Sequence, residues 1–337
     1  MTSKNVSGLR IFLAGGAGVL GRRIIPLLVA AGHTVVATTR HEARTGPLRD
    51  LGATPARVDV RDAAALAAAV RDSGADVVMH QLTDLAGGDL AANAALRRDG
   101  TRNLVDAALA AGVRRIVAQS ICWTYVPGEG PARESEPLDL GAPEPRRTTV
   151  AGVAAMESAV AELPEWVVLR YGLLYGPGTW FEPRGLRAAE AREGRLVAGA
   201  DVTSFVHVDD AAAAALAALD WPVGHVNVCD DEPAAGLDWA PAFCRAVGAP
   251  APPVSGASAP SVSGAPANPA ARGADNRHAR RDLGWTPAYP SWRAGFATLA
   301  GDRDIPDTGH SRQFPSGRVG HSGGGHDESV PLRRKAR

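Results

Sequence analysis

Short apolar runs alternate with longer amphipathic segments over the first half of the chain. The runs are rich in Val, Ile and Leu, and they predict buried strands at residues 9–14, 33–40, 56–60, 75–82, 113–120 and 165–172. The segments between them predict helices at residues 19–31, 62–74, 89–111 and 148–162. Strands that alternate with helices at this spacing predict an α/β fold, in which a doubly wound parallel sheet is covered by helices on both faces.

The pattern becomes less regular after residue 172. A helix is predicted at residues 211–219 and a further strand at 224–230. Residues 249–272 are dominated by Pro, Ala, Ser and Gly, which predicts a loose insertion. Residues 301–337 contain Gly, Ser, His and Arg with little apolar content, and this composition predicts a disordered tail.

Composition narrows the classes of partner. The 337-residue chain has a formal net charge of +0, so its charge gives no argument for a nucleic acid or a membrane surface as partner. No apolar run reaches the length of a membrane-spanning helix, and the first ten residues lack the apolar region of a signal peptide. The three cysteines stand at no metal-binding or redox spacing. We therefore expect a cytoplasmic protein without a bound metal.

A glycine motif follows the first predicted strand and opens the first predicted helix. Gly15, Gly18 and Gly21 have the spacing at which a tight turn lets a pyrophosphate approach the backbone. The amide groups near Val19 and Leu20, at the start of the helix, would face the anion together with the positive end of the helix dipole. This context predicts dinucleotide binding, and the alternative is a packing turn in another α/β protein.

The end of the second predicted strand indicates which dinucleotide is bound. A carboxylate there would bind the ribose hydroxyls of NAD, but the strand ends in threonines and an arginine. A guanidinium is suited to a phosphate, so the sequence favours NADP over NAD. The arginines nearest the predicted phosphate positions are Arg22, Arg23, Arg40 and Arg44. The alternative is that these arginines lie on a solvated face.

Residues at the ends of the next two predicted strands complete the predicted cofactor site. Asp59 and Val60 end the third strand, where they are expected to contact the edge of the adenine. Gln81 and Leu82 end the fourth strand and are expected to line the same crevice, because the carboxyl ends of parallel strands share one edge of the sheet.

Several longer motifs occur in one order along the chain: LAGGAGVLG, VDVRD, DVVMH, GTRNLVDAA, RYGLLYGPG, FVHVDDAA and LGWTP. Together they resemble the extended short-chain dehydrogenase/reductases, also called NAD-dependent epimerase/dehydratases, over residues 9–300. The resemblance implies a Rossmann domain, at residues 9–172 and 202–229, and the arginines described above favour NADP as its cofactor. It also implies a smaller substrate-binding lobe at residues 173–201 and 230–300.

The chain departs from this family at the residues that carry the chemistry. The family's tyrosine and lysine, four residues apart on one helix, fall on Thr149 and Val153. The only lysines are Lys4 and Lys335, so no tyrosine is followed by a lysine at this spacing anywhere in the chain. The family's asparagine falls on Arg97, which is predicted either to line the crevice as a cation or to point to solvent.

Reduction of a carbonyl remains possible without the tyrosine. General acid catalysis contributes about 3–5 kcal/mol, whereas holding a hydride donor against a carbonyl can contribute about 7–11 kcal/mol. Ser120 and Thr83, near the carboxyl ends of the fifth and fourth strands, are candidate catalytic hydrogen-bond donors. The alternative for each hydroxyl is a local backbone cap.

A set of mostly aromatic residues is predicted to contact the substrate: Ile121, Trp123, Tyr171, Trp180 and Phe181. The alternative for the aromatic side chains is ordinary core packing.

The pattern without the tyrosine resembles the atypical ketoreductases of angucyclinone-type aromatic polyketide pathways in antibiotic biosynthesis. This resemblance implies NADPH-dependent reduction of a ring ketone, whose carbonyl is activated by the neighbouring hydroxyl of the substrate itself. The alternatives are an NADP-binding sensor or scaffold without activity and, less in keeping with the absent base, an epimerase or dehydratase of nucleotide sugars.

Overall fold

The computed structural model describes residues 8–84, 89–254 and 271–299, and the structural statements below concern these residues. Lys4, Lys335, the predicted tail and residues 255–270 of the predicted insertion lie outside them. No helix in the described ranges is long and apolar enough to cross a membrane, and no group of His, Cys, Asp and Glu there could hold a metal ion.

A seven-stranded parallel sheet forms the centre of the fold, with the strand order β3-β2-β1-β4-β5-β6-β10. The order reverses between β1 and β4, the point at which sheets of this kind open a crevice at the carboxyl ends of their strands. The eleven strands are β1 Arg10–Ala14, β2 Thr34–Thr39, β3 Thr54–Arg57, β4 Val77–His80, β5 Arg115–Ile121, β6 Glu165–Tyr171, β7 Leu173–Tyr175, β8 Val202–Thr203, β9 Phe205–His207, β10 Gly224–Val228 and β11 Ala234–Ala235.

Helices cover both faces of the sheet, which confirms the predicted doubly wound α/β fold. A π-helical turn at Leu96–Gly100 interrupts the helix predicted at 89–111 and divides it into α4 and α5. The ten α-helices are α1 Gly21–Ala30, α2 Thr45–Asp50, α3 Ala63–Ser73, α4 Leu90–Ala95, α5 Thr101–Ala110, α6 Arg146–Val160, α7 Leu186–Arg192, α8 Val208–Ala217, α9 Gly236–Ala246 and α10 Trp292–Leu299.

The two-residue period of the strands divides the core into two layers. In β5, Val117 packs with α1 and α8, whereas Ile116 and Ala118 pack on the opposite face with α3, α5 and α6. The same alternation places Ser120, and Arg170 in β6, on the face covered by α6. The orientation of these two side chains therefore follows from the register of the sheet.

Two predicted strands end earlier than the sequence indicated. The third ends at Arg57 and the fourth at His80. Consequently, five predicted site residues belong to the loops that follow these strands rather than to the strands themselves: Asp59, Val60, Gln81, Leu82 and Thr83. Their position beyond the carboxyl edge of the sheet still places them beside the crevice.

A third apolar cluster lies in the later part of the chain. Its rings meet mostly edge to face, as aromatic side chains prefer. The largest members of the cluster are Tyr175, Phe181, Phe205, Trp239, Phe243, Trp292 and Phe296. Phe205 comes from the predicted cofactor domain and the others from the predicted substrate lobe, so the division into domains stays a prediction.

Candidate active site

The glycine turn between β1 and α1 is built from close backbone contacts. Gly15 has φ +92°, which favours glycine, and its N–H donates to Oγ1 of Thr38 at 3.0 Å. A Cβ on Gly15 would overlap the carbonyl group of Gln81, and a Cβ on Gly21 would overlap the carbonyl oxygen of Gly15. Both positions must therefore be glycine for the turn to hold the carboxyl ends of β1, β2 and β4 this close together.

The start of α1 offers free donors next to this turn. The N–H of Gly18 donates to the carbonyl of Gly15 at 3.0 Å, whereas the N–H groups of Val19 and Leu20 have no acceptor in the described part of the chain. Such donors, at the positive end of a ten-residue helix, suit the pyrophosphate of a dinucleotide.

Gln81 provides a second sign of a ligand at this edge. Both polar atoms of its side chain are sealed from solvent and have no hydrogen-bond partner among the described residues. A buried amide without partners costs about 1–3 kcal/mol, so such a group calls for an explanation. A dinucleotide in the adjacent crevice would supply partners, and the residues present therefore fit the predicted cofactor.

Arginines gather in the loops that follow β2 and β3. Arg40 and Arg61 approach the same carboxylate oxygen of Asp84, at 3.8 and 3.2 Å, and both guanidinium groups are partly exposed. Arg44 ends a short 3₁₀ turn after β2 and is half-buried. The sequence analysis did not single out Arg61, although it stands in the VDVRD motif directly after the predicted adenine-binding residues.

The two other arginines near the glycine turn differ in their surroundings. Arg23 is engaged elsewhere, because it pairs with Asp209 at 2.9 Å and donates to the carbonyl of Pro177 at 2.7 Å. Arg22 is exposed at the second position of α1.

The remaining predicted cofactor residues lie beside the crevice in loops. Asp59 accepts a hydrogen bond from the N–H of Arg61 at 3.0 Å, and the carbonyl of buried Val60 accepts from the side chain of Asn103 at 2.9 Å. Leu82 is half-buried, and its N–H donates to Nδ1 of His80 at 3.4 Å. Their contact with a cofactor stays a prediction.

Ser120 belongs to a buried polar network. Its hydroxyl donates to Oε1 of Glu157 at 2.6 Å. Arg170 binds the same carboxylate through two nitrogens, at 3.0 and 2.6 Å, and Nε2 of His225 lies 3.2 Å from it. Arg170 also donates to the hydroxyl of Tyr125 at 2.9 Å. The bond of Ser120 to Glu157 has to break before Ser120 can donate to a substrate.

The electrostatics of this network favour a fixed ion pair. Burial alone would raise the pKa of Glu157, but hydrogen bonds from His225, Arg170 and Ser120, with the charge of Arg170, outweigh it and hold the pKa at about 2. Burial raises the pKa of Tyr125, so its phenol stays protonated at neutral pH. Glu157 and Tyr125 therefore do not exchange protons near pH 7.

The face of α6 that would carry the tyrosine and lysine is buried, and neither of these two positions holds an ionisable group. Thr149 is 3% exposed and Val153 is fully buried, while Glu157 lies one turn further along the same face. The hydroxyl of Thr149 makes no hydrogen bond within the described ranges, but it is not completely sealed from solvent. It therefore reaches open space at the start of α6, near the carboxyl edge of the sheet.

The predicted substrate residues do not line one common surface. Tyr171 is buried, and its hydroxyl donates to the carbonyl of Ala211 at 3.1 Å, while Phe181 is buried in the third apolar cluster. Ile121 and Trp123 are half-buried at the end of β5. Trp180 is half-buried under the guanidinium of Arg187. Thr83, the second candidate donor, is exposed. Contact of these residues with a substrate stays a prediction.

The chain matches a known protein family and is similar in sequence to two reductases. The NAD dependent epimerase/dehydratase family matches residues 11–229. The chain is 41% identical to 3-diazoavenalumate denitrifying reductase of a Streptomyces species over 308 residues, 86% of this chain and 99% of that protein. It is 30% identical to 2-alkyl-3-oxoalkanoate reductase of Stenotrophomonas maltophilia over 223 residues, 63% of this chain and 66% of that protein.

Solved structures share the fold. UDP-glucose 4-epimerase of Thermus thermophilus, in complex with NAD, matches with a TM-score of 0.68 and 25% identity over 87% of this chain and 98% of that one. The enzyme WbmG of Bordetella bronchiseptica, in complex with NAD and UDP, matches with a TM-score of 0.68 and 23% identity over 90% of this chain and 97% of that one.

The first prediction concerns the buried ion pair. Replacing Glu157 by Gln should lower the free energy of unfolding by about 3 kcal/mol, because Arg170 would remain buried without a counter-charge. Since folding lowers the pKa of Glu157, its stabilising contribution is present above the ordinary pKa of 4.5 and is lost as the pH falls towards 2. Urea unfolding at neutral and acidic pH measures both effects.

Glu162→Gln is the matched control, because Glu162 forms an exposed pair with Arg102 and should contribute about 0–1 kcal/mol. Equal stability of the two variants at neutral pH would contradict the structural role of the Glu157 pair.

The second prediction concerns the glycine turn. Gly21→Ala should weaken NADPH binding by about tenfold or more, because the added methyl group would push the turn away from α1. Gly46→Ala is the control, since a Cβ at Gly46 meets no neighbouring atom. Isothermal titration with NADPH measures the two dissociation constants, and equal affinities would show that the cofactor does not sit on this turn.

Proposed function

The chain belongs to the NAD-dependent epimerase/dehydratase family, and we propose that it is a reductase whose hydride acceptor needs no proton from the enzyme. A nicotinamide dinucleotide is the cofactor that the family and the glycine turn support. The observation that carries the proposal is the buried face of α6, where Thr149 and Val153 stand in place of a phenol and an ammonium group.

Thr149 cannot take over the role of a tyrosine. A phenol has an ordinary pKa of about 10, which a neighbouring cation can bring towards neutrality, whereas an aliphatic hydroxyl remains far less acidic. Thr149 can donate a hydrogen bond to a bound molecule, but it is a poor source of a proton. The site therefore fits a reaction in which no alkoxide has to be protonated by the protein.

Reduction of an aryl diazo group is such a reaction. The name of the 41% identical relative denotes a diazo-substituted carboxylate that loses nitrogen on reduction. Bound NADPH would supply a hydride. When the group is present as the aryl diazonium cation, its ring carbon would accept the hydride while the C–N bond breaks, and both electrons of that bond would leave with dinitrogen. A C–H bond has then formed without a negative oxygen, so no general acid is required.

The chain's own residues would mainly position the reactants. Val19, Leu20 and the glycine turn would hold the pyrophosphate, and Gln81 would supply its two free polar atoms to the cofactor. The buried surface of Thr149 and Val153 would keep water from the reacting carbon. Positioning of this kind is worth about 7–11 kcal/mol, more than general acid catalysis gives.

A phenolic ring ketone is the second candidate acceptor. The open hydroxyl of Thr149 favours it, because this hydroxyl could donate a hydrogen bond to the carbonyl oxygen while the neighbouring hydroxyl of the substrate donates another. This acceptor corresponds to NADPH-dependent reduction of an aromatic, angucyclinone-type polyketide in antibiotic biosynthesis. A protein that binds NADP without turnover is the remaining alternative.

The third prediction tests the acceptor. With NADPH deuterated on the transferred position and 3-diazoavenalumate carrying labelled nitrogen, the protein should release one labelled dinitrogen and form one aryl C–D bond per NADPH oxidised. Mass spectrometry of gas and product measures both. Product that retains its nitrogen, or that takes its new hydrogen from solvent, would contradict the proposal.

A parallel assay with hydroxyquinone ketones separates the alternatives. Turnover of the ketones alone would favour the ketoreductase, and tight NADPH binding without turnover of either acceptor would favour the sensor. Thr149→Val is informative in both assays: dinitrogen release should change by less than about tenfold, whereas ketone reduction should fall by about tenfold or more, since only the ketone needs a hydrogen-bond donor at its oxygen.

The arginines around Asp84 support NADP as the form of the cofactor, and they give the fourth prediction. Arg40→Ala should weaken NADPH binding by about 10- to 100-fold and NADH binding little, because only NADPH carries a phosphate for the guanidinium. Arg49→Ala, an exposed arginine in α2, is the control. Dissociation constants from protein fluorescence measure the preference, and an equal loss for both cofactors would speak against a phosphate contact.

A further inference from the structure

Arg97 is a buried cation without a partner among the residues that the structure describes. The residue is 4% exposed, and its guanidinium makes no hydrogen bond and no ion pair within the described ranges. By comparison, its neighbour Arg98 is exposed and bonded to Asp99 at 2.8 Å. The sequence allows Arg97 either to point to solvent or to line the crevice, and its burial excludes an open, solvated position.

The position of Arg97 is defined by the elements around it. It lies on the π-helical turn after α4, and α4 packs so tightly on α6 that a Cβ at Gly152 would come 2.9 Å from Cα of Ala94. Its charge acts on Glu157 of α6 and on His80 at the carboxyl end of β4. Arg97 thus lies between the end of β4 and the face of α6 that carries Thr149 and Val153.

The guanidinium keeps some contact with solvent. None of its nitrogens has a hydrogen-bond partner among the described residues, and none of them is completely sealed from solvent. The small exposed part of Arg97 therefore includes its charged end. Helical side chains lean towards the amino terminus of their helix, which here is the direction of the carboxyl edge of the sheet.

A buried guanidinium without a counter-ion is energetically unfavourable and calls for a physical explanation. Burial lowers the pKa of Arg97 to about 10, with the charge of Glu157 opposing the shift, so the guanidinium is still charged at neutral pH. A desolvated charge without a counter-ion destabilises the fold. Glu157 already accepts hydrogen bonds from Arg170 and Ser120, and it is therefore not a dedicated counter-ion for Arg97.

We propose that Arg97 binds an anionic oxygen of the aromatic substrate, either a carboxylate or a phenolate, beside the face of α6 that carries Thr149 and Val153. The proposal rests on the reductase function and names the substrate class of the same site. A planar guanidinium forms strong paired hydrogen bonds with such oxygens, and the low polarity around it strengthens them. The pyrophosphate cradle lies at β1 and α1, so the two anion sites are separate.

The test measures binding rather than turnover. The probe is 4-hydroxycinnamate, titrated into the protein saturated with NADP⁺ and followed by tryptophan fluorescence. Its methyl ester lacks the carboxylate, and 4-methoxycinnamate cannot form a phenolate. A carboxylate contact predicts about 10- to 100-fold weaker binding of the ester, whereas a phenolate contact predicts this loss for the methoxy compound.

Arg97→Gln should bind the anionic probe about 10- to 100-fold more weakly than the wild type and the neutral analogue equally well. Arg97→Lys should restore part of the affinity, and Arg98→Gln, the matched control, should behave as the wild type. The melting temperature of Arg97→Gln should equal or exceed that of the wild type, because the variant removes an unpaired buried charge.

Three results would overturn the proposal: equal affinity of wild type and Arg97→Gln for the anionic probe, no binding of any probe by the wild type, or a melting temperature that falls in Arg97→Gln with the affinity unchanged. Failure of the reductase function is distinguishable. In that case NADPH is not oxidised by diazo or ketone acceptors, while the charge-dependent binding of 4-hydroxycinnamate persists.

Discussion

Glu157 and Arg170 form a buried ion pair that joins α6 to β6, and Ser120 and His225 extend it to β5 and β10. A carboxylate buried alone would be costly, and the hydrogen bonds from Arg170 and Ser120 compensate for its lost hydration. Thr149 and Val153 lie on the same helical face as Glu157, so the pair also fixes where these side chains stand. The part of the site that carries Thr149 and Val153 is therefore held in place by a buried ion pair.

Two features near α6 have complementary chemical effects. Thr149 and Val153 offer no ionisable group for proton transfer, whereas Arg97 places a buried positive charge next to them. A site of this kind holds an anionic aromatic molecule more readily than it protonates one. That combination fits a hydride acceptor which completes its reaction by losing a neutral group, because hydride transfer then creates no new negative charge on an oxygen.

The sequence predicted the geometry of the glycine turn better than the surroundings of Ser120. The glycine turn is a local motif, and its geometry follows from residues that are close in the chain, such as Gly15 and Gly21. Ser120 was singled out for its place at a strand end, but its direction depends on the register of β5 and on Glu157, which is 37 residues away. The local sequence pattern did not indicate Arg61, because Arg61, Arg40 and Asp84 belong to three different loops that only the fold brings together.

The sequence by itself determined the doubly wound α/β fold, the glycine turn and the absence of a tyrosine–lysine pair, since each depends on hydrophobic period, local backbone freedom or residue identity. Only the tertiary structure decided that Ser120 is bonded to Glu157, that Tyr171 and Phe181 are core residues, and that Arg97 is buried while its guanidinium keeps some contact with solvent. The physical reason is that burial and hydrogen-bond partners arise from elements distant in sequence, which a local pattern cannot bring together.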